Sequence, residues 1–395
     1  MTMNDSVRIM LVAGEASGDQ LGGRLMAALR RKNSDIQFIG VGGPRMVAEG
    51  MESLFPMDEM SVMGLAEIIP HIPHLLRRIR QTADYAQDQC PDVVITIDAP
   101  DFSFRVGKRL AGSGIPLVHY VAPSVWAWRP GRAKKIAGFL DHLLAILPFE
   151  PPYFEEEGLP TTFIGHSAVE ERHDGNAVRF RQAHGIGDDE KIVTVLPGSR
   201  HSEVKKLLPV FADVVTQLTS RYPDCKIVIP TVSKVAGMVK TEAEIWPCKP
   251  IIVLGDQDRR DAFAASHAAL AASGTVSLEL AIAGVPHVIA YRVHALTAWL
   301  VRRLVRIDTA TIVNLVLGQK LVPEFLQEAC EVDQILPVLE KMIFDETTRT
   351  AHKQGFETAS RLLGFGDIPP SDKAANVICD IIAKNKVKQA GNRVG

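Results

Sequence analysis

The chain has 395 residues, of which 46% are hydrophobic and 23% charged, with a formal net charge of −2 at pH 7. That length carries two or three domains of ordinary globular composition, and the near-neutral balance argues against a nucleic-acid binder. The five cysteines are scattered, with no CxxC, which excludes a disulfide framework or zinc site and points to a reducing cytosol.

The opening stretch, MTMNDSVRIMLVAGE, lacks a charged region followed by a long apolar run, so no signal peptide is expected. No uninterrupted apolar run approaches the roughly 20 residues of a membrane span. Residues 7–13 read as a strand, Gly14-Glu15-Ala16-Ser17-Gly18-Asp19 as the loop after it, and 20–31 as a helix. Strand, glycine-rich turn and helix are how a doubly wound α/β domain begins. The loop is not GxGxxG, and GxxxxGK[ST] is absent, which weakens dehydrogenase and P-loop readings. Residues 37–41 form the next strand. Residues 51–80 carry Met51, Met57, Met60 and Met63, then an apolar series leading into Arg77, Arg78 and Arg80. Adaptable methionines suit apolar ligands, and apolar-plus-basic helices suit anionic membranes. The alternative is a loop and helix packed on the sheet; His71 and His74, separated by a proline, read as turn residues and not metal ligands. DVVITI (92–97) is apolar enough to be buried on both faces. Asp98 ends it, where catalytic groups gather, and Asp101 reads as the N-cap of a helix over 102–110. Strands follow at 116–121, 142–147 and 163–165. Between the first two, SVWAWRPGRAKK places Trp126, Trp128, Arg129 and Arg132 in a loop, either to meet a sugar or anion or to lock the loop down.

A domain break falls near 165–166, and 167–190 is polar with one short helix. Residues 192–196 start a second strand–turn–helix unit, whose Gly198-Ser199-Arg200 turn places Arg200 to meet a phosphate. Strands at 226–230 and 251–254 follow. Asp256-Gln257-Asp258 matches DxD, but its setting reads as a turn into a helix over 259–266, so no metal is expected. The most informative stretch is 268–291, AALAASGTVSLELAIAGVPHVIAY. It reads strand, Ser273-Gly274-Thr275 turn, helix, strand. Gly274 permits a close ligand approach, Thr275 is a candidate cap, and first-turn N–H groups suit an anion. Glu279 lies one turn on, on the same face. A diphosphate at the turn and a ribose at Glu279 make a nucleotide-sugar pocket; an ordinary capped helix is the alternative. Residues 294–306 give a second apolar helix with Arg302, Arg303 and Arg306, suited to a membrane or to the interface of a homodimer. A final helix is expected over 373–384, followed by a polar tail.

GEASGD, GVGGPRM, IDAPDF, HYVAPSVWAWR, LPFE, FIGH, LPGSR and SGTVSLE, in this order and spacing, resemble the lipid-A-disaccharide synthase family from residue 8 to about 330. The resemblance implies a GT-B α/β fold of two doubly wound Rossmann-like domains facing across a cleft. The expected division is 1–166 on the acceptor side, 167–365 for the UDP-sugar, and a 366–395 helix and tail returning to the first domain or to a partner subunit. It implies an inverting, metal-independent transfer without cofactor from UDP-2,3-diacylglucosamine to 2,3-diacylglucosamine 1-phosphate, on the cytoplasmic face of a bacterial inner membrane. Asp98 is the expected base. Arg200, Ser273, Gly274, Thr275 and Glu279 are the expected donor residues, with Glu15, Ser17 and Asn314 lining the cleft. A GT-B-like epimerase acting on a free UDP-sugar and a non-enzymatic nucleotide-sugar sensor stay open as other classes; the apolar-basic segments favour neither.

Overall fold

The computed structural model describes residues 7–60, 65–128, 131–170, 175–293 and 308–392, with 65–71 and 391–392 as backbone only. The chain divides into two compact units, 1–170 with 364–395, and 171–363.

In the first unit, strands β1 (Arg8–Ala13), β2 (Gln37–Val41), β3 (Glu52–Ser53), β4 (Val93–Ile97), β5 (Leu117–Tyr120), β6 (His142–Ala145) and β7 (Thr161–Phe163) are interleaved with helices α1 (Ala16–Lys32), α2 (Pro44–Ala48), α3 (Leu65–Gln89), α4 (Pro100–Leu110), α5 (Gly131–Ala137) and α6 (Pro151–Glu155). The sheet is parallel, in the order β3-β2-β1-β4-β5-β6-β7. Its central strands are covered on both faces. Ile9, Leu11 and Ala13 of β1 share a core with Leu21, Leu25 and Leu29 of α1, while Met10 and Val12 join Phe102 and Val106 of α4 on the other face. Such strands show no polar alternation because neither face meets water.

The second unit repeats the plan with β8 (Lys191–Leu196), β9 (Cys225–Thr231), β10 (Ile251–Leu254), β11 (Ala268–Ala272), β12 (His287–Tyr291) and β13 (Glu324–Leu326). Its helices are α7 (Ala177–His184), α8 (His201–Arg221), α9 (Ser233–Ala243), α10 (Asp256–Ala265), α11 (Val276–Ile282), α12 (Ile312–Leu317), α13 (Val332–Phe344) and α14 (Glu346–Leu362). The order β10-β9-β8-β11-β12-β13 is again wholly parallel. The chain then returns to the first unit as α15 (Pro370–Asn392), whose Asp372 meets Arg31 of α1 at 2.8 Å. Two doubly wound units in one chain are the GT-B class of α/β fold.

Each sheet has one switch point. The connection after β1 runs to β2 on one side, and the connection after β4 runs to β5 on the other; β8 and β11 repeat this. In open α/β sheets ligands bind in the crevice at the carboxyl ends of such a strand pair.

Several local expectations change. Helix α1 starts at Ala16, not near residue 20, because Gly18 lets the first turn lie against the end of β4; a Cβ there would sit 3.2 Å from the Ile97 carbonyl oxygen. Asp101 is no N-cap. Ala99 holds that position, and the fully exposed Asp101 lies inside the helix, 3.8 Å from Arg132. His74 is not in a turn: α3 runs through Pro70 and Pro73, and His74 Nε2 meets Glu59 at 2.6 Å while Arg78 clamps the same carboxylate. Met51 and Met57 are core residues, filling space that glycines leave; a Cβ on Gly42 would lie 2.4 Å from the Met51 methyl. They are not a lipid surface. Met63, Arg129 and the 294–306 segment lie outside the described residues.

Candidate active site

At the first switch point, Asp98 follows the last residue of β4. It and Ala99 both have left-handed backbones, with φ of 51° and 43°. Non-glycine residues in this region cost of order 1–3 kcal/mol each and gather where geometry serves function. The strain is held in place by hydrogen bonds. Asp98 N–H donates to the Tyr120 carbonyl at 3.0 Å, and the Ser103 hydroxyl donates to the Asp98 carbonyl at 2.7 Å. The carboxylate accepts from Ala99 N–H at 2.9 Å and from the Ser17 hydroxyl at 3.2 Å. Ser17 comes from the loop and helix start after β1, so residues 81 apart in sequence meet here. Gly14 permits this approach: a Cβ would stand 2.7 Å from that of Ala99. Glu15, partly buried, occupies the N-cap position of α1 in extended conformation, without a side-chain capping bond.

The neighbouring loops are braced from beneath. Trp126 Nε1–H donates to Glu150 at 3.3 Å, and its ring meets Phe149 edge-on at 5.3 Å. Of the two sequence readings of this tryptophan, locking the loop is the one its contacts fit. The Glu150 carboxylate also accepts from the N–H groups of Ile146 and Leu147 at 3.2 and 3.0 Å, yet burial pushes its pKa up to about 7. Arg132 lies over Phe104, while Trp128 is substantially exposed.

At the second switch point, β8 is followed by Pro197 and Gly198, and β11 by Ser273-Gly274-Thr275. Gly274 has φ 155° and open space where a Cβ would stand. Thr275 does not cap α11 through its hydroxyl: its own backbone is already helical, and the Leu278 and Glu279 N–H groups bond to its carbonyl. Arg200 precedes α8, largely exposed, 3.3 Å from Glu203, and the Tyr291 hydroxyl donates to the same Glu203 oxygen at 3.2 Å. Glu279, in the first turn of α11, pairs with Arg259 at 3.1 Å. Asn314 is buried. Its amide donates to the Val322 carbonyl at 2.9 Å and accepts from Val322 N–H at 2.8 Å, which clips α12 to the chain before β13.

Sequence reasoning missed Glu203, Tyr291, Glu150 and Arg259. Only Arg259 left a trace, as a cation in the first turn of a helix, where the helix dipole disfavours it. Asp256 pairs with Arg259 at 3.5 Å, and the described residues hold no group of three metal-ligating side chains.

The lipid-A-disaccharide synthetase family model matches residues 9–375. A lipid-A-disaccharide synthase from Rhodospirillum centenum is 53% identical over 383 residues, covering 96% of each chain. That from Paramagnetospirillum magneticum is 44% identical over 391 residues, covering 97% of this chain and all of the relative. Among solved structures, the UDP-GlcNAc 2-epimerase from Neisseria meningitidis bound to UDP-GlcNAc superposes with a TM-score of 0.62 at 14% identity, over 96% of this chain and 100% of that one. At that identity the likeness speaks for the fold alone. The strand-end constellations thus sit in a chain whose close relatives share one enzymatic name, and it belongs to the lipid-A-disaccharide synthase family, glycosyltransferases of lipid A biosynthesis.

Proposed function

We propose that the chain transfers the sugar of UDP-2,3-diacylglucosamine to 2,3-diacylglucosamine 1-phosphate, with inversion, giving a β-1,6 disaccharide and UDP. The observation that carries the chemistry is Asp98, a carboxylate at a switch point on a strained backbone, oriented by Ser17 and Ala99. An inverting transfer needs one base to take the acceptor hydroxyl's proton as that oxygen attacks the anomeric carbon. Asp98 fills that role, and Glu15 and Ser17 line the acceptor side on the first unit.

The second unit grips the nucleotide. N–H groups around Ser273, Gly274 and Thr275 face the diphosphate, Arg200 balances the charge that grows on the leaving UDP, and Glu279 accepts from the ribose hydroxyls. Asn314 acts by holding the adjoining α12. Glu279→Ala and Arg200→Ala each weaken UDP binding by about tenfold or more, the scale of one charge-assisted hydrogen bond, while acceptor affinity is unchanged. Calorimetry with UDP and with the acceptor checks this, and wild-type UDP affinity in both variants excludes the assigned grip. An epimerase would convert the UDP-sugar alone; mass spectrometry after incubation with both lipids tells disaccharide from epimer.

Acylated substrates require an enzyme at a lipid surface, here the cytoplasmic face of the inner membrane. No described helix is long and apolar enough to cross a membrane. Helix α3 instead exposes Ile72 and Leu76 beside Arg77 and Arg80. Each arginine near an anionic surface contributes about 1 kcal/mol, screened by salt. Arg77→Ser with Arg80→Ser lowers co-sedimentation with anionic vesicles roughly thirtyfold and leaves UDP affinity intact. Unchanged sedimentation removes α3 as the docking face.

A further inference from the structure

We propose that Arg259 is a positioning residue of the nucleotide site, holding the Glu279 carboxylate in the orientation a ribose diol requires; this rests on the reading of Glu279 as the ribose grip. Arg259 and Glu279 belong to different helices, α10 and α11. Both helices begin just after strands of the second sheet, at the carboxyl edge. Their first turns, which carry these two residues, therefore lie on the side where a ligand binds.

A cation in the first turn of a helix is opposed by the helix dipole, and a nearby anion offsets that opposition. Two carboxylates are within reach. Asp256 is 3.5 Å away and largely exposed, so its attraction is weakened by water; Glu279 is 3.1 Å away with its side chain only 25% exposed. The Glu279 pair is the dominant one. Arg259 Nε–H is buried and makes no hydrogen bond among the described residues. A buried unpaired N–H is costly, so the placement of the guanidinium follows its pair with Glu279 and not this donor.

A glutamate carboxylate is free about its last torsion. A vicinal diol donates two hydrogen bonds to it only when both oxygens are correctly turned. Binding then carries the entropy of ordering the side chain, unless a neighbour has ordered it beforehand. The guanidinium does so from one side, through the contact of Nη1 with the Oε2 oxygen. The backbone around Gly274, one turn away, is open on the side where a Cβ would stand. Lysine would keep the charge without the planar fork.

The test measures UDP and 2′-deoxy-UDP binding to the full-length protein by calorimetry, with Glu279→Gln, Arg259→Gln, Arg259→Lys and the Glu279→Gln/Arg259→Gln double variant. Glu279→Gln and Arg259→Gln should each lose about tenfold in UDP affinity, and the double variant no more than the worse single one. The wild-type preference for UDP over the deoxy analogue should shrink in Arg259→Gln, a change that loss of mere packing would not produce. Donor KM should rise in that variant while kcat stays within about twofold, since the interaction is equal in ground and transition states. Arg259→Lys should recover part of the affinity, and it also decides the matter if Arg259→Gln does not fold: wild-type affinity and preference there overturn the inference. Wild-type UDP affinity in Glu279→Gln removes the ribose grip and the inference with it. A weakened Glu279→Gln beside an unaffected Arg259→Gln, or losses that simply add, overturns the positioning role alone.

Discussion

Asp98→Asn lowers turnover at least about a hundredfold, the smaller end of what a general base contributes, with the fold and UDP affinity kept. The geometry makes this substitution unusually clean. Asparagine tolerates a left-handed backbone better than most residues, so the φ of 51° is no obstacle. Its amide oxygen still accepts from Ala99 N–H, and its NH2 meets the Ser17 oxygen, which accepts as readily as it donates. What disappears is the ability to take a proton. Alanine would instead forfeit both hydrogen bonds and mix structural loss with chemical loss. Initial rates with both lipid substrates, read beside UDP calorimetry, separate the two. Near-normal turnover in a folded Asp98→Asn protein removes Asp98 as the base, and equal losses in rate and UDP affinity make it structural.

What could be read from the sequence was whatever repeats locally. Apart from Asp92 and the buried Thr96, DVVITI and AALAA are apolar and have nothing to turn outward, so they belong in the middle of parallel sheets, and the residues that follow them inherit a place at the ligand edge. Pairings across long sequence separations were invisible. Tyr291 meets Glu203 over 88 residues, and nothing at either position announces it. Asp19 is a further example. Inside GEASGD it reads as a loop acid, yet it is buried and accepts the N–H groups of Gly43, Arg45 and Met46, capping α2 from α1. Propensity also misled where glycine was needed for packing. Residues 14–19 look like a loop because glycine weakens helices, but the close approach of α1 to β4 requires Gly18 within its first turn. In the same way Asp101 looks like a cap, until the left-handed pair at 98–99 moves the helix start ahead of it.

Acidification from pH 7 to 4.5 destabilises the second unit on the order of 3 kcal/mol, and more than it destabilises the first. In the second unit His287 is fully buried. Its Nδ1–H donates to the Val285 carbonyl at 2.8 Å, which leaves Nε2 to accept the Ser277 hydroxyl at 2.9 Å. Burial pushes its pKa down to about 4, so the folded imidazole stays neutral while the unfolded one takes up a proton near pH 6.5. The unfolded state then binds more protons, and stability falls as pH drops from 6.5 towards 4, at up to about 1.4 kcal/mol per unit. His267, also lowered to about 4 mainly by burial, adds in the same direction, though partial exposure reduces its share. The first unit carries an opposing pair. His119 is lowered to about 3 by burial first and by the charge of Arg132 second, and loses stability on acidification just as His287 does. Glu150, raised to about 7 by burial, holds a proton in the folded state that the unfolded chain releases above about 4.5; its contribution grows as pH falls through that window. The Glu150 slope opposes those of His119 and of His142, which burial also lowers, between about pH 6.5 and 4.5, whereas among the described residues of the second unit no raised carboxylate offsets His287. Hydrogen exchange read by mass spectrometry should therefore show strands 268–272 and 287–291 opening at a higher pH than strands 8–13 and 93–97. His287→Gln flattens the acid response of the second unit, and Glu150→Gln steepens that of the first. Equal opening of both sheets at pH 4.5, with neither variant changing its slope, would show that these buried groups do not set the acid limit.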